Sequence, residues 1–383
     1  MTFERWRRRV ESATVYWNTV SAIHAGGRHP LHRILYRLAI YRFRDSGSPT
    51  MFGKASLADQ DPSCYGAYIR GEEVRPRQEA LAPTEFRHLE ENKLAFAQRC
   101  AEAGLACGEL LGVIATDASI PSPWTGPIAR TAPELDALLR SIGDADVIVK
   151  LVFGGSGHGV FGVAIRGGVP LSEGGVGDAA ALFALLASCP KPPHQPPSLW
   201  LIQRRCIPHA DLLPLMPGPG LGTIRIHSFL LADGRVELRW PLLKMPGVGR
   251  ITDNFQGGTN LASIAPVNLE GGTLQYCVHR PRNESLIRRF DTHPASGETL
   301  SGFRVPEWEA LKQLACAGAR AFPELPMLSW DVAVTPAGPL LIEANWEFGV
   351  GIIQIPLRTG IRSEFERLFA SIAAPRPYRP DRH

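Results

Sequence analysis

The chain has 383 residues, enough for two or three lobes with sizeable cores, and its 44% hydrophobic content is that of a globular protein. Forty-one Lys and Arg against 37 Asp and Glu leave a net charge of +4, too small to mark a nucleic-acid binder, although residues 1–44 alone hold nine Arg and two Glu. Seven scattered cysteines without a CxxC pair argue against a disulfide framework or a zinc site, no apolar run reaches the ~20 residues of a membrane span, and no secretory signal is seen, which together predict a cytoplasmic protein.

In residues 1–44, Ile34, Leu35, Leu38 and Tyr41 recur at helical spacing with Arg33, Arg37, Arg42 and Arg44 beside them. This predicts an amphipathic helix packed on the main body with its arginines in water. Peripheral contact with an anionic membrane or an acidic partner is the alternative. Residues 45–83 are rich in turn formers and read as an irregular connection. Thr84 opens a helical pattern expected to run over 84–103 and stop at Gly104. A strand over 105–114 and a helix over 132–142 follow.

Residues 146–150, DVIVK, read as a buried strand ending in Lys150, and LVFGGSGHGVFGVAI comes directly after it. Glycines in this loop, with Gly154, Gly155, Ser156 and Gly157 at its head, free the backbone to curl round an anion, and consecutive N–H groups there suit phosphate within reach of Lys150. Gly157, Gly159 and Gly162 fit G-x-G-x-x-G literally, but a β-like run follows where a dinucleotide fold needs a helix. A protein-kinase glycine loop is also strand-loop-strand, yet its lysine follows the loop whereas Lys150 precedes it.

A helix over 178–187 and a proline-rich spacer lead to a strand over 198–205, where Gln203 suits an adenine edge or is an ordinary strand end. Residues 223–231 and 235–243 form a hairpin about Ala232-Asp233-Gly234, with Thr223, Arg225 and His227 on one face. A mid-strand arginine among apolar residues is costly unless it meets an anion, so Arg225 is assigned to phosphate or to developing transition-state charge. The loop DNFQGG at 253–258 offers Asp253, Asn254, Gly257 and Gly258 as a turn or as substrate contacts.

Residues 328–347, LSWDVAVTPAGPLLIEANWE, carry two apolar runs flanking Pro336-Ala337-Gly338, a second hairpin. A turn centred on Ala337 sets Asp331 opposite Glu343. Alternation then places Asp331, Glu343 and Asn345 on one face and Trp330, Val332, Val334, Leu340, Ile342 and Ala344 on the other. Two carboxylates and an amide carbonyl on rigid strands suit Mg²⁺, which completes its shell with water and phosphate.

These motifs, in this order, resemble the ATP-grasp superfamily, and more narrowly its sugar-transfer-associated branch, related to α-L-glutamate ligases. Further signs are His209 after the Gln203 strand, HPASG at 293–297 and Val305-Pro306-Glu307-Trp308 before a helix ending near Ala321. The resemblance implies an α+β fold of two lobes whose antiparallel sheets clamp ATP. Its expected parts are a basic helical extension and connection (1–83), a first lobe with a glycine lid loop (84–199), a second lobe with the Mg²⁺ site (200–375) and a flexible tail (376–383). Lys93 and Lys150 would hold phosphates, residues 154–159 would form the lid, and Gln203, Arg204 and Cys206 would line the adenine, with His209 grouped beside them. Asp331, Glu343 and Asn345 would carry Mg²⁺, two ions with Glu343 bridging and Mn²⁺ an acceptable substitute, while Arg225 would stabilise the transferred phosphate. Gly222 stands where an Asn often precedes Thr-Ile-Arg, and Arg204-Arg205 replace a commoner acidic hinge. The implied activity joins a small-molecule carboxylate to an amine through an acyl phosphate. A kinase and a non-catalytic ATP-binding partner of a biosynthetic assembly are the alternatives, and the kinase lacks its motifs, since Cys277-Val278-His279-Arg280-Pro281 has no Asp of H-R-D.

Overall fold

The computed structural model describes residues 3–117, 124–154, 159–172, 177–189, 199–255 and 259–378, and for residues 3–13 and 172 it describes the backbone. Within the described residues two sheets are built, and the chain is mixed α+β. The first sheet has β1 (Leu110–Ala115), β2 (Ile128–Ala129), β3 (Ala145–Leu151), β4 (Val160–Arg166), β5 (Val169–Ser172) and β6 (Leu199–Arg204) in the order β2-β1-β6-β3-β4-β5. The second has β7 (Thr223–Leu230), β8 (Val236–Met245), β9 (Ser263–Pro266), β10 (Cys277–His279), β11 (Arg288–Phe290), β12 (Met327–Thr335) and β13 (Gly338–Asn345) in the order β11-β10-β9-β8-β7-β12-β13. Neighbouring strands run antiparallel everywhere except β1 and β2.

Eleven α-helices accompany the sheets among the described residues: α1 (Phe3–Ala25), α2 (Leu31–Phe43), α3 (Pro49–Lys54), α4 (Gly71–Leu81), α5 (Thr84–Glu91), α6 (Lys93–Glu102), α7 (Ala132–Ile142), α8 (Ala179–Ser188), α9 (Trp308–Ala321), α10 (Val350–Leu357) and α11 (Arg362–Ser371). Helices α7 and α8 bury Leu135, Leu139, Leu182 and Leu186 against Val147, Ile165 and Trp200 of the first sheet. Helix α9 buries Leu311 and Ala315 against Trp330 and Val332 of the second. Alternation makes this possible, because successive residues of each strand face opposite sides and Leu243 enters one core while Leu242 enters another.

Residues 45–83 are not the irregular connection that their turn formers suggest. Ser48 caps α3 with Pro49 in its first turn, and Asp61 accepts from Ser63 N at 2.8 Å to start a 3₁₀ turn over Pro62–Ala67. The same residues that break helices also start them. The segment is then drawn into the body, with Phe52, Leu57 and Tyr65 packing with Ile34, Leu38 and Tyr41 of α2 against Leu242, Ile264 and Val278 of the second sheet.

The single helix expected over 84–103 is two. Asn92 takes an extended conformation, and its side chain accepts from Leu94 N at 2.9 Å and Ala95 N at 3.3 Å, capping α6. Because Phe96 and Cys100 of α6 enter the core under the second sheet while Leu94 packs with Val113 and Leu201 of the first, this segment joins the sheets and does not belong to the first lobe alone.

The hairpin β12–β13 reaches the expected pairing by a different route. Its connection is Pro336-Ala337, with Thr335 opposite Gly338, so uniform pairing would put Asp331 opposite Ile342. A bulge between Asp331 and Val332 adds one residue on β13 and restores Asp331 to Glu343 and Ser329 to Asn345. It also exchanges faces below that point: Leu341 is buried in the core, and Ile342 lines the cleft between the sheets instead of joining the core face.

The C-terminal helices fasten the N-terminal segment. Gln354, fully buried in α10, accepts from Ile69 N at 3.0 Å and donates to Ile69 O at 2.9 Å, and Arg362 holds Glu73 at 2.6 Å. The Arg362 guanidinium keeps the Glu73 carboxyl down at about 2. Gln354→Leu strands both backbone groups of Ile69, and a loss of about 2–4 kcal/mol of stability is expected in urea unfolding.

Candidate functional site: a lysine-lined cleft facing a buried ion-pair row

The two sheets face each other across a cleft that is open to solvent. Its first wall carries Lys93, Lys150 and Gln203, and its second wall carries Thr223, Asp331 and Glu343. Lys150 is the penultimate residue of β3, held between Val160 of β4 and Leu201 of β6. Lys93 is fixed by the same break that splits α5 from α6: its backbone N–H donates to Val152 O at 3.2 Å and its ammonium donates to Gly154 O at 2.5 Å. Both phosphate candidates thus stand on paired backbone.

On the second wall, sheet register aligns Arg225 of β7, Asp331 of β12 and Glu343 of β13 in one cross-strand row. Arg225 grips Asp331 through two hydrogen bonds, Nε to Oδ1 at 2.8 Å and Nη2 to Oδ2 at 2.6 Å. Lys244 of β8, opposite Thr223 in register, adds a bond to Asp331 at 2.8 Å and another to Asp253 at 3.1 Å. Thr223 donates to the second oxygen of Asp253 at 2.5 Å. Burial disfavours the Asp331 carboxylate, but the charges of Arg225 and then Lys244 outweigh it and hold its carboxyl below the usual range.

Glu343 is the open member of the row. Its nearest cation is Arg225 at 3.9 Å, its side chain retains 38% exposure, and enclosure in the cleft together with the Asp331 charge pushes its carboxyl up. Facing it, Lys150 is pulled down to about 8 by burial first and the Lys93 charge second, and burial also lowers Lys93. Glu90 of α5 is pushed up to about 8 by burial and the charges of Glu343 and Glu91, so it is largely protonated at neutral pH. Such displacement of several groups around one cleft is typical of functional sites.

Several predicted residues do not act here as their sequence context suggests. Arg225 meets an anion, as a buried arginine must, but that anion is Asp331 of the adjacent strand. Asp253 lines the cleft yet spends both oxygens on Thr223 and Lys244, while Asn254 lines the cleft beside it. Gln203 and Cys206 line the cleft, and so does Arg204, whose guanidinium pairs with Glu109 at 2.5 Å. His209 caps the 3₁₀ turn Ala210–Leu215, accepting from Asp211 N at 3.2 Å, and is not among the cleft-lining residues. Gly155, Ser156, Gly157, Gly257 and Gly258 lie outside the described residues. The departure at Gly222 has a steric cause, since a Cβ there would stand 2.4 Å from the Met216 methyl and 2.7 Å from the carbonyl of Lys244.

Sequence reasoning missed Lys244, Thr223 as a bonding partner, and Glu90. Lys244 was detectable as a lone lysine inside the apolar strand WPLLKM, whose charge must find partners. Glu90 had no such signal, because the two acidic residues of EENK-type helix text usually face water.

Whether Mg²⁺ suits these residues is testable on the donors. Among the described residues no group of three His, Cys, Asp or Glu gathers as a metal cage. Two carboxylates and one amide remain, all hard oxygen donors, in the number expected of a cation that leans on water and phosphate. Glu343 has no hydrogen-bond donor among the described residues, and the Asn345 side-chain amide is buried with its nitrogen unpartnered. Asp331 and Glu343 line the cleft and fit such a cation, with Asp331 the member already engaged by cations, whereas Asn345 is not among the cleft-lining residues.

A two-sheet α+β clamp with paired lysines on one wall and a carboxylate row on the other defines an ATP-grasp protein. Residues 78–369 match the sugar-transfer associated ATP-grasp family model, and the chain belongs to that family. No curated protein matches it in sequence. Among solved structures it is similar to phosphoribosylamine–glycine ligase from Thermotoga maritima, at 10% identity and TM-score 0.44, over 86% of this chain and 75% of that one. It is also similar to biotin carboxylase from Campylobacter jejuni (14%, TM-score 0.43, 80% of this chain and 52% of that one) and D-alanine–D-alanine ligase from Helicobacter pylori (11%, TM-score 0.38, 77% and 62%). The chain spans about half the length of the biotin carboxylase and of an N5-carboxyaminoimidazole ribonucleotide synthetase that it also matches.

Two outcomes follow from the site. Asp331→Ala leaves the buried Arg225 with only Glu343 at 3.9 Å and Lys244 with Asp253 alone, and is expected to lower stability by about 3–5 kcal/mol, read by urea unfolding, whereas Glu343→Gln keeps wild-type stability. ATP affinity, measured calorimetrically, is level below pH 8 and then falls by about tenfold per pH unit, because bound phosphate favours the protonated Lys150 whose free value is about 8. Lys150→Met flattens that slope.

Proposed function

We propose that this protein is an ATP- and Mg²⁺-dependent ligase that joins a small-molecule carboxylate to an amine. The observation that carries the reading is the apposition, across one cleft, of Lys93 and Lys150 with the Arg225–Asp331–Glu343 row. Family membership supports ATP as the nucleotide. The solved structures that resemble the fold include proteins named as ligases, and at 10–11% identity they bear on the fold alone.

In this reading the substrate carboxylate attacks the γ-phosphorus and ADP leaves; the amine nitrogen then attacks the acyl carbon, phosphate departs with the C–O bond and the amine loses a proton. No side-chain nucleophile is required. Lys93 and Lys150 hold and partly neutralise the phosphates, and their depressed affinity for protons is reversed by the anion they bind. Glu343 and Asn345, with Asp331, would hold Mg²⁺, which when bound withdraws charge from the phosphoryl oxygens. Arg225 and Lys244 keep Asp331 ionised and fixed, so that the row presents one orientation to the cleft. Gln203, Arg204 and Cys206 border the adenine end, and Asn254 borders the acceptor side. The family's description associates it with sugar transfer, which supports a saccharide-linked acid or amine as substrate.

The test is a phosphate-release screen with ATP and Mg²⁺ across carboxylic acids paired with amines and amino sugars. Release that requires both an acid and an amine, with an amide in the products, is the expected result, and Glu343→Gln is expected to reduce it by about 10³-fold or more. A stable phosphorylated product formed from one substrate makes the protein a phosphotransferase instead, and full turnover by Glu343→Gln removes the metal assignment.

A further inference from the structure

Two of the seven cysteines meet behind the cleft. Cys100 is fully buried near the end of α6, beside Phe96 in the core under the second sheet. Gly104, at φ 64°, turns the chain, and Leu105 N–H donates to Cys100 O at 2.8 Å, so the segment after the helix folds back along its last turn. Leu105 and Cys107 pack on the same core, and the Cys100 thiol donates a hydrogen bond to the Cys107 sulfur.

Cys107 is tied to both walls. Its backbone bridges Leu341 of β13, whose N–H donates to Ala106 O at 2.9 Å, and Glu343 follows on the same strand. The next residue, Gly108, lies so close to Gln203 that a Cβ there would stand 2.0 Å from Nε2. Cys107 is half-buried and lines a small pocket with Lys93, Lys150, Gln203 and Ile342, four residues that also line the cleft. The hydrogen bond from Cys100 and the charge of Lys150 draw its thiol down against burial, whereas the thiols of Cys100, Cys206, Cys277 and Cys316 are all pushed up. Packing alone would use both cysteines as small apolar groups, and it does not account for a partly exposed thiol beside Lys150 with a second thiol at its back.

We propose that Cys107 is a site of reversible oxidation by hydroperoxides, resolved by Cys100, and that closing the Cys100–Cys107 bond weakens ATP binding in the cleft. With hydrogen peroxide, the Cys107 thiolate attacks one peroxide oxygen and the O–O bond breaks. The leaving hydroxide takes up a proton as water, and the product is a sulfenic acid whose sulfur has lost the two electrons that the peroxide gained. The Cys100 sulfur then attacks the Cys107 sulfur, the S–O bond breaks, and the Cys100 proton leaves with the hydroxide as a second water. A dithiol reductant reverses the sequence. A disulfide holds its sulfurs at about 2.05 Å, closer than a hydrogen bond does, and Cys100 is fixed in a packed helix. The loop carrying Cys107 therefore shifts, and its contacts with Gln203 and Leu341 shift with it. The bond itself is independent of the reaction proposed for the cleft, while its effect on ATP rests on the cleft being the nucleotide site.

The test treats the reduced, desalted full chain with hydrogen peroxide, alkylates it under denaturing conditions and digests it with trypsin. Arg99 and Arg130 bracket both cysteines in one peptide. By mass spectrometry that peptide is expected to lose two hydrogens and escape alkylation, and dithiothreitol is expected to restore both thiols. In Cys100→Ala the oxidation stops at a Cys107 sulfenic acid that dimedone traps, and in Cys107→Ser the Cys100 thiol stays reduced; either variant decides the pairing if the other fails to fold. Peroxide is expected to weaken ATP binding to the wild-type chain, measured calorimetrically with Mg²⁺, by about tenfold or more, and to leave Cys107→Ser at the affinity of the reduced protein. Full alkylation of both cysteines after peroxide, or a bond from Cys107 to Cys206 instead, overturns the site. A Cys100–Cys107 bond that leaves ATP affinity unchanged overturns its effect on the cleft. A reduced protein that binds no ATP overturns the nucleotide reading and with it the second half of the proposal, while the peptide result still decides the first.

Discussion

The site depends on one buried carboxylate being fully compensated. Asp331 lies buried in the middle of strand β12, where an unpaired charge would be intolerable, and β7 and β8 supply Arg225 and Lys244 to it. Lys244 in turn needs a second anion, which the loop after β8 provides as Asp253. Two cations and two anions form a closed quartet with no net charge. Beyond that quartet, Glu343, Lys93 and Lys150 line the cleft, and Asp331 belongs to both sets, holding the wall together while it lines the cleft.

The opposing wall is built by different means. Lys150 stands at the end of a central strand and Lys93 at the first turn of a helix, and Asn92 brings them together by ending α5, capping α6 and bridging to Phe153. Both ammonium groups are poorly solvated, and Lys150 also feels the charge of Lys93, so each gives up its proton more readily than in water. An anion between them relieves both penalties. The strain is electrostatic and is stored in the wall that a triphosphate would meet.

The N-terminal residues contribute to this arrangement indirectly. Through α2 and the turns over 49–67 they cover the face of the second sheet that carries Leu242, Ile264 and Val278, and Gln354 and Arg362 tie residues 69–73 to the C-terminal helices. The sheet bearing the ion-pair row is thus packed on both sides, by α9 beneath and by the extension above. A basic segment that reads as an appendage is part of the core.

Much of the candidate site was legible in the chain because strand periodicity is rigid. Alternation alone puts Thr223 with Arg225 and Asp331 on chemically distinct faces from their apolar neighbours, and the order of Lys150, Gln203, Arg225, Asp331 and Glu343-x-Asn345 marks the family. What local pattern does not carry is which strand lies beside which. That β7 sits between β8 and β12 is a tertiary fact, and it makes Arg225, read from the sequence as a phosphate contact, and Lys244, which the sequence reading missed, partners of Asp331. The bulge that keeps Asp331 opposite Glu343 while moving Ile342 into the cleft, the break at Asn92 and the folding-in of residues 45–83 were likewise decided by packing, because turn and cap residues permit several backbones and only the neighbouring surface selects one.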